Sequence, residues 1–475
     1  MLTVNKINVG QKVVGIGAKG AFAYVTPFYF LDNYSVMCLY NRKDTQLIKK
    51  RFDVFTLEEN IPNLDVPRDN QKELLKFEVS RNFINTFNSP NIFVRKSTKG
   101  VERFVNQNNL TLLANKISVK DQFENKLNFR NVLKQIGLKP IDGFSIKYKD
   151  LSYSLISNAQ LRYGRRIVLQ VAELTHGGGV GTGFIENRND YEEFIKKINK
   201  LTLPPSNRKI KNVTISRYIS GIQISILACV TRYGVITGSV QTQIQDIEDV
   251  LGGSKTSGAY CGHDFSHKRI SEESLNKAKQ IAKSFGEYLA LQNYKGIFGL
   301  DLIISEDEDV YPVECNSRYT DAIPISSFLD IEKGLKPLEY YHFLEMLGYK
   351  YKINADKISR GYLKPRDFSQ LLVTSKSDSW TVNSGELEAG IYRYEGDSLH
   401  FVRHTFNPLD LKNNNEFLVT DGVPNIGTKF KPQSRVLRLV FSKSILASRG
   451  KLEKDVSNTI RKIYEKLDFV DVAKK

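Results

Sequence analysis

Residues 296–318 read GIFGLDLIISEDEDVYPVECNSR. Apolar residues alternate with others on both sides of the acidic stretch 306–309, the pattern of two antiparallel strands joined by a turn. Pairing about a centre between Asp307 and Glu308 sets Asp301 opposite Glu314. Because side chains alternate along a strand, Asp301, Glu314 and Asn316 then share one face, while Leu300, Leu302, Ile304, Tyr311, Val313 and Cys315 take the other and pack. Two carboxylates and an amide converging on one spot suit Mg²⁺, or Mn²⁺ in its place, which takes oxygen ligands and completes its shell with water and phosphate oxygens. The expected metal is therefore one that accompanies a nucleotide. Arg318 follows at the next position on that face, placed to neutralise negative charge that develops during phosphoryl transfer. The competing reading is a solvated hairpin with a polar edge, but that leaves unexplained why acids interrupt GLDLII and VYPVECN on one face only.

Upstream, 271–293 has helical periodicity with SEES as its N-terminal signal, and QISILACVTRYGVITGSV (223–240) reads as strands. Before these, GFSIKY, RRIVLQVAE, GTGFIE and VTISRYI alternate as strands around one helix, DYEEFIKKINKL. Residues of about 143–218 are thus a small α+β unit, free to move as a lid, with a glycine loop at its tip. Gly177, Gly178, Gly179, Gly181 and Gly183 give the backbone amides of that loop freedom to approach a phosphate, and Thr182 adds a hydroxyl. A flexible hairpin with no phosphate remains the plain alternative, and His176 is read as an ordinary loop residue. The stretch 121–136 is expected to be a single helix with Phe123, Leu127 and 133–136 as its apolar stripe, stopped by Gly137. GGSKTSGAYCGHDFS (252–266) reads as a polar loop, in which His263 and Asp264 are more simply explained by local hydrogen bonds than by acid–base chemistry.

Toward the N-terminus, KVVGIG, SVMCLY, FDVFTL, NIFVR and LTLLA are short β-rich runs spaced by helical or loop stretches, the pattern of an α/β layered unit over residues 1–117. The glycines of GIGAKG (15–20) match neither GxGxxG nor GxxxxGK[ST], and a tight strand-to-helix turn accounts for them. After about 335 come a helical stretch, β-rich residues 365–448 and a final helix from 451, with no catalytic motif and no repeat. The expected division is 1–117, 118–335 and 336–475.

At 475 residues and 41% hydrophobic content the chain has material for two to four domains. No run approaches the roughly 20 apolar residues of a membrane-spanning helix, and MLTVNKINVGQ lacks the features of a secretory signal, so a cytoplasmic protein with no membrane partner is expected. The four cysteines have no CxxC spacing and are read as reduced, mostly packing thiols. The net charge of +17 is spread over short runs such as 41–51, 196–200 and 207–212. Each run is mixed with Asn or acidic residues and lacks the interleaved aromatics of a nucleic-acid platform, so a solvated surface is the better account and nucleic-acid binding ranks last.

With Asp301 followed by ECNSR at 314–318, the hairpin resembles the last core hairpin of the ATP-grasp superfamily, which carries an acid and then Glu-x-Asn-x-Arg. The resemblance covers roughly residues 1–330. It implies an α/β and α+β protein: a pre-ATP-grasp α/β domain, an ATP-grasp core with a mobile lid, and a β-rich C-terminal domain similar to that of the biotin carboxylase and purine-synthesis branch. By the same resemblance Lys126, otherwise a surface lysine, lies against a nucleotide phosphate. Gln170 stands where the family has a second phosphate lysine, with Arg165 and Arg166 as neighbouring cations. The backbone of Ser216, Arg217, Tyr218 and Ile219 holds adenine, and Gln223 lies near the ribose; the family often has Glu at both Ser216 and Gln223. The implied activity is ATP-dependent ligation of a carboxylate to an amine or thiol through an acyl phosphate, with ATP and Mg²⁺ as cofactors. Its partners would be small-molecule carboxylates and amines, an amino acid or peptide among them, in a chain that is often a homodimer. The neutral residues at Gln170, Ser216 and Gln223 also suit a non-catalytic, regulatory nucleotide-binding protein.

Overall fold

The computed structural model describes residues 5–62, 64–66, 69–174, 179, 181–204, 206–251, 258–362 and 364–472. Five strands, β1 (Val13–Ile16), β2 (Tyr34–Cys38), β3 (Val54–Thr56), β4 (Asn91–Phe93) and β5 (Thr111–Leu112), form an all-parallel sheet in the order β3-β2-β1-β4-β5. All five lie where the β-rich runs were read. Strands β1 and β2 are buried along their whole length, which is why they read as continuous apolar runs. The order reverses between β1 and β4, so the carboxyl ends of those two strands open a crevice, the usual ligand position of such a sheet.

A second sheet, antiparallel in the order β6-β9-β7-β8, comprises β6 (Gly143–Lys147), β7 (Ile167–Val171), β8 (Thr182–Ile185) and β9 (Asn212–Arg217). It packs against two helices, Tyr153–Tyr163 and Arg188–Thr202, where only the second was expected. The first has a weak apolar stripe, burying only Ile156 and Ala159, although Ser152 caps it by accepting from the Leu155 amide at 3.3 Å.

The third sheet is the spine of the molecule. Strands β10 (Gly221–Thr231), β11 (Gly234–Gln245), β12 (Tyr260–Asp264), β13 (Gly296–Ser305) and β14 (Val310–Asn316) continue through β12 into β15 (Ser369–Thr374). After the separate strand β16 (Trp380–Asn383), this sheet is completed by β17 (Gly390–Glu395), β18 (Ser398–Arg403) and β19 (Glu416–Thr420), and, beyond the short β20 (Lys429–Phe430), by β21 (Arg435–Phe441). Its order is β14-β13-β10-β11-β12-β15-β21-β19-β17-β18, so the hairpin and the C-terminal β-rich residues share one continuous ladder. The helix Glu272–Leu291 lays Ala278, Ala282, Phe285 and Leu289 on it, and Phe123 and Phe129 join the same core. Beyond the final helix, Lys454–Leu467, a last strand Phe469–Val472 pairs with β16.

Two further expectations change. The stretch 121–136 is two helices, Ile117–Glu124 and Lys126–Gln135, parted at Asn125 (φ −69°, ψ 118°). The Asn125 side chain accepts from the Asn128 amide at 3.0 Å and caps the second helix. The 252–266 stretch is not all loop: Tyr260–Asp264 is strand β12, its residues 261–264 buried between β11 and β15. All four cysteines are buried and free of disulfides, as read. Among the described residues no helix is long and apolar enough to cross a membrane.

Candidate active site

The carboxylate hairpin is β13 and β14. Gly299 pairs with Asn316, Leu300 with Cys315 and Asp301 with Glu314, the expected register. Past Asp301 the register slips, Leu302 pairing with Pro312 and Ile303 with Tyr311. A bulge of one residue exchanges the faces of everything beyond it. Leu300, Leu302, Ile304 and Cys315 pack in the core as predicted, but Val313 lines the cavity on the opposite side. The Tyr311 ring meets Lys139 and Arg217 rather than core side chains.

Strand β10 backs the hairpin, with Ser225 paired to Asp301. Ser225 Oγ donates to Asp301 Oδ1 at 2.5 Å, Gln243 Nε2 to Ser225 Oγ at 2.6 Å, and Asn316 Nδ2 to Asp301 Oδ2 at 3.0 Å. Lys126 Nζ lies 3.4 Å from Glu314 Oε2. Arg318 Nη2 donates to Asn316 Oδ1 at 2.8 Å, and its Nε faces the buried Glu124 at 3.0 Å. Burial, and then the Glu314 charge opposite, push the Asp301 carboxyl up. Burial also works against the charge of Glu314, but Lys126, the bond from Asp301 and Arg318 outweigh it and hold that carboxyl down. One carboxyl held up and its neighbour held down share a pocket in which a divalent ion would relieve their repulsion. Asp301, Glu314 and Asn316 are the oxygen donors available to it.

The hairpin forms one wall of a cavity of about 250 Å³. The sequence-predicted residues Lys126, Gln170, Gly179, Thr182, Ser216, Arg217, Tyr218, Ile219, Gln223, Asp301, Glu314, Asn316 and Arg318 all line it. Gly179 has φ +68°, a left-handed conformation that favours glycine in the lid loop. Gly181 packs on Leu174, its carbonyl accepting from the Val171 amide at 2.9 Å. Gly177, Gly178 and His176 lie outside the described residues. Arg166 does not reach the cavity beside Gln170: it pairs with Glu186 at 3.2 Å and stacks on Tyr218, and Arg165 is exposed. The sequence reading missed Ser225, Gln243 and Gln245, which also line the cavity, as does His263, read there as held by local hydrogen bonds. A signal was present in QTQIQ (241–245), where glutamines recur at every second position of a buried strand. His263 meets Tyr260 Oη at 2.9 Å and Gln370 Nε2 at 2.8 Å, and burial lowers its pKa to about 3, so it stays neutral.

A family model for the ATP-grasp domain matches residues 171–322. The chain carries an ATP-grasp domain. The match takes in the glycine loop, residues 216–219 and the whole carboxylate hairpin, and begins one residue after Gln170. Among solved structures, a biotin carboxylase from Campylobacter jejuni superposes with a TM-score of 0.61 at 13% identity, covering 91% of this chain and 87% of that one. The biotin carboxylase domain of the Hydrogenobacter thermophilus 2-oxoglutarate carboxylase, solved with MgADP and bicarbonate, gives 0.60 at 13% identity over 91% and 86%. N5-carboxyaminoimidazole synthase from Aspergillus clavatus, with ADP and 5-aminoimidazole ribonucleotide, gives 0.55 at 11% identity over 96% and 100%. The chain therefore has the ATP-grasp fold in the arrangement shared by these proteins, pre-ATP-grasp α/β layer and C-terminal β-rich part included. A search of curated protein sequences finds no match.

Proposed function

We propose that this protein is an ATP-dependent ligase that phosphorylates a carboxylate and passes the resulting acyl group to an amine, with a thiol as the alternative acceptor. The observation that carries this reading is the meeting of two spaces at one charged junction. Arg318 and Asp321 line both the cavity of the hairpin and a cleft of about 1100 Å³ on its far side. A nucleotide in the cavity and a substrate in the cleft would thus face each other across Arg318.

In this reading ATP enters between lid and core, with Arg217–Ile219 along the base and Lys126, Gln170 and Thr182 toward the phosphates. Asp301, Glu314 and Asn316 would hold a magnesium ion, which would supply neutralisation of phosphate charge. Glu124 and Asn316 fix the Arg318 guanidinium between the two spaces, so it meets the transferring phosphoryl group without reorganising. A carboxylate oxygen attacks the γ-phosphorus and ADP leaves. The amine nitrogen then attacks the acyl carbon, and phosphate departs as the amine releases its proton. The bicarbonate and aminoimidazole ribonucleotide of the solved relatives are of this carboxylate and amine kind.

A second reading, nucleotide binding without turnover, draws support from Gln170, which stands in the cavity with Arg166 engaged elsewhere. One experiment separates the two. Phosphate release from Mg·ATP is measured with pooled small carboxylates and amines, for the intact protein and Glu314→Gln. The ligase reading expects substrate-dependent release that falls by about 10²–10³ in the variant, the size of losing one preorganised charge contact at the reacting group. Tight Mg·ATP binding with no release from either protein favours the second reading.

A further inference from the structure

The cleft lies at the carboxyl ends of β1 and β4, where the strand order of the parallel sheet reverses, and its two ends differ in chemistry. The inner end carries Arg318, Arg95 and Lys96. Arg95 and Arg318 are engaged, with Asp321 and Glu124 respectively. Among the described residues, no hydrogen bond or ion pair engages the Lys96 ammonium. Burial first, and then the Arg318 charge, lower its pKa to about 8. A half-buried amine that lines the cleft beside another cation is a position that an anion would stabilise.

The outer end sets exposed apolar side chains among Lys429 and Lys431, with the Lys431 ammonium 5.8 Å from the centre of the Trp380 ring. Ile426 is 62% exposed, Trp380 38% and Val472 36%, and all three line the cleft. Trp380 and Val472 are direct cross-strand partners of β16 and the last strand, so they present one surface. Large apolar side chains clustered at the mouth of a polar cleft mark a ligand that brings an apolar part with it. A cleft of about 1100 Å³ is also slightly larger than the usual pocket for a drug-sized ligand, far more than an ion such as bicarbonate requires.

We propose that the carboxylate activated here is carried on an extended apolar or aromatic body, with the carboxylate held by Lys96 and Arg318 and the body laid against Trp380, Ile426 and Val472. This rests on the ligase reading and narrows its substrate to organic carboxylates that carry an apolar or aromatic body. Lys96 discriminates by charge at the inner end, and the apolar mouth discriminates by surface at the outer one.

Trp380 is the only tryptophan of the chain, so its fluorescence reports on the mouth directly. N-acetyl-Phe-Phe and decanoate are titrated against the Mg·ATP-loaded protein beside their amides, in the wild type, Lys96→Met and Ile426→Asp. Phosphate release is followed in parallel with the same acids and with bicarbonate. Saturable fluorescence changes with at least one acid are expected, and that acid should bind at least about tenfold more tightly than its amide, the factor expected for a charged hydrogen bond. Lys96→Met should remove that preference. Ile426→Asp, at a position where a side chain bears little of the fold, should weaken the acid several-fold. The proposal is overturned if neither acid outbinds its amide, or if Lys96→Met binds the acids like the wild type. Release driven by bicarbonate alone also overturns it, although the ligase reading then stands. Failure to bind Mg·ATP at all removes both.

Discussion

The cavity and the cleft adjoin at Arg318 and Asp321, yet they are assembled by opposite means. The cavity wall is a backbone product. Ser225, Asp301, Glu314 and Asn316 sit on neighbouring strands whose ladder fixes them. The cleft wall is a side-chain product, drawn from segments hundreds of positions apart. Lys19 reaches the Arg435 carbonyl at 3.2 Å, Arg95 and Arg435 both approach Asp321, and Arg438 bonds Asp421 at 2.9 Å, the Asp321 carbonyl at 3.1 Å and Gln370. Where the ladder supplies the geometry, polar side chains are free to serve a ligand. Where side chains supply it, the charges that face the ligand are also what hold the wall.

Exchange of Arg438 should produce the largest effect on stability. It is wholly buried, and its removal leaves Asp421 with Arg435 as its remaining cation and takes away the donor to the Gln370 amide oxygen. Urea unfolding of Arg438→Met is expected to show a loss of about 3–5 kcal/mol, the usual result of breaking one side of a buried charge network. Glu314→Gln, from the cavity wall, sets relief of repulsion with Asp301 against loss of the Lys126 ion pair and should cost less stability than Arg438→Met while turnover collapses. Equal stability losses in the two variants would erase the distinction between the walls.

A second test reaches the buried Glu339, to which Thr26 Oγ1 donates. Burial raises the Glu339 pKa to about 7 from an ordinary 4.5. Between those values the folded protein binds the extra proton, so this group's contribution is full below about pH 4.5 and is lost as pH rises through 7. His263 and His342, lowered by burial to about 3 and about 4, act in the opposite sense as pH falls below 6.5. The informative quantity is therefore the difference between wild type and Glu339→Gln. The variant should gain relative stability steadily from pH 5 to 7, and a flat difference would show that Glu339 is ionised in the fold.

Legibility followed the same division. The five parallel strands, the lid strands and the register around Asp301 were readable because local alternation encodes them. The bulge after Asp301 was not, since nothing in VYPVECN distinguishes Val313 as the extra residue, and its cost was a wrong face for Val313 and Tyr311. Strand β12 hid behind a glycine-rich stretch, and with it the burial of His263. The cleft could not be read at all: Lys96, Trp380 and Arg435 are unremarkable in sequence and acquire meaning only when three distant segments meet.

The break at Asn125 is the smallest feature that bears on this contrast, because it is a local signal that shapes the cavity. Phe123, Phe129, Val132 and Leu133 bury one stripe across both helices, so periodicity alone runs straight through it. Ending the first helix at Glu124 frees the donors at the start of the second, and the Lys126 amide bonds the Ala172 carbonyl at 3.4 Å, at the root of the lid loop. The same break starts a helix at Lys126, from which its ammonium meets Glu314. Asn125→Ala removes the cap and should cost about 1 kcal/mol in unfolding. If the break also aims Lys126 at a phosphate, Mg·ATP affinity should fall about fivefold with it, a further loss of about 1 kcal/mol, while Asn125→Asp, which keeps the cap acceptor, should preserve both. Loss of stability with unchanged Mg·ATP affinity would confine Asn125 to the fold and leave Lys126 without a role at the nucleotide.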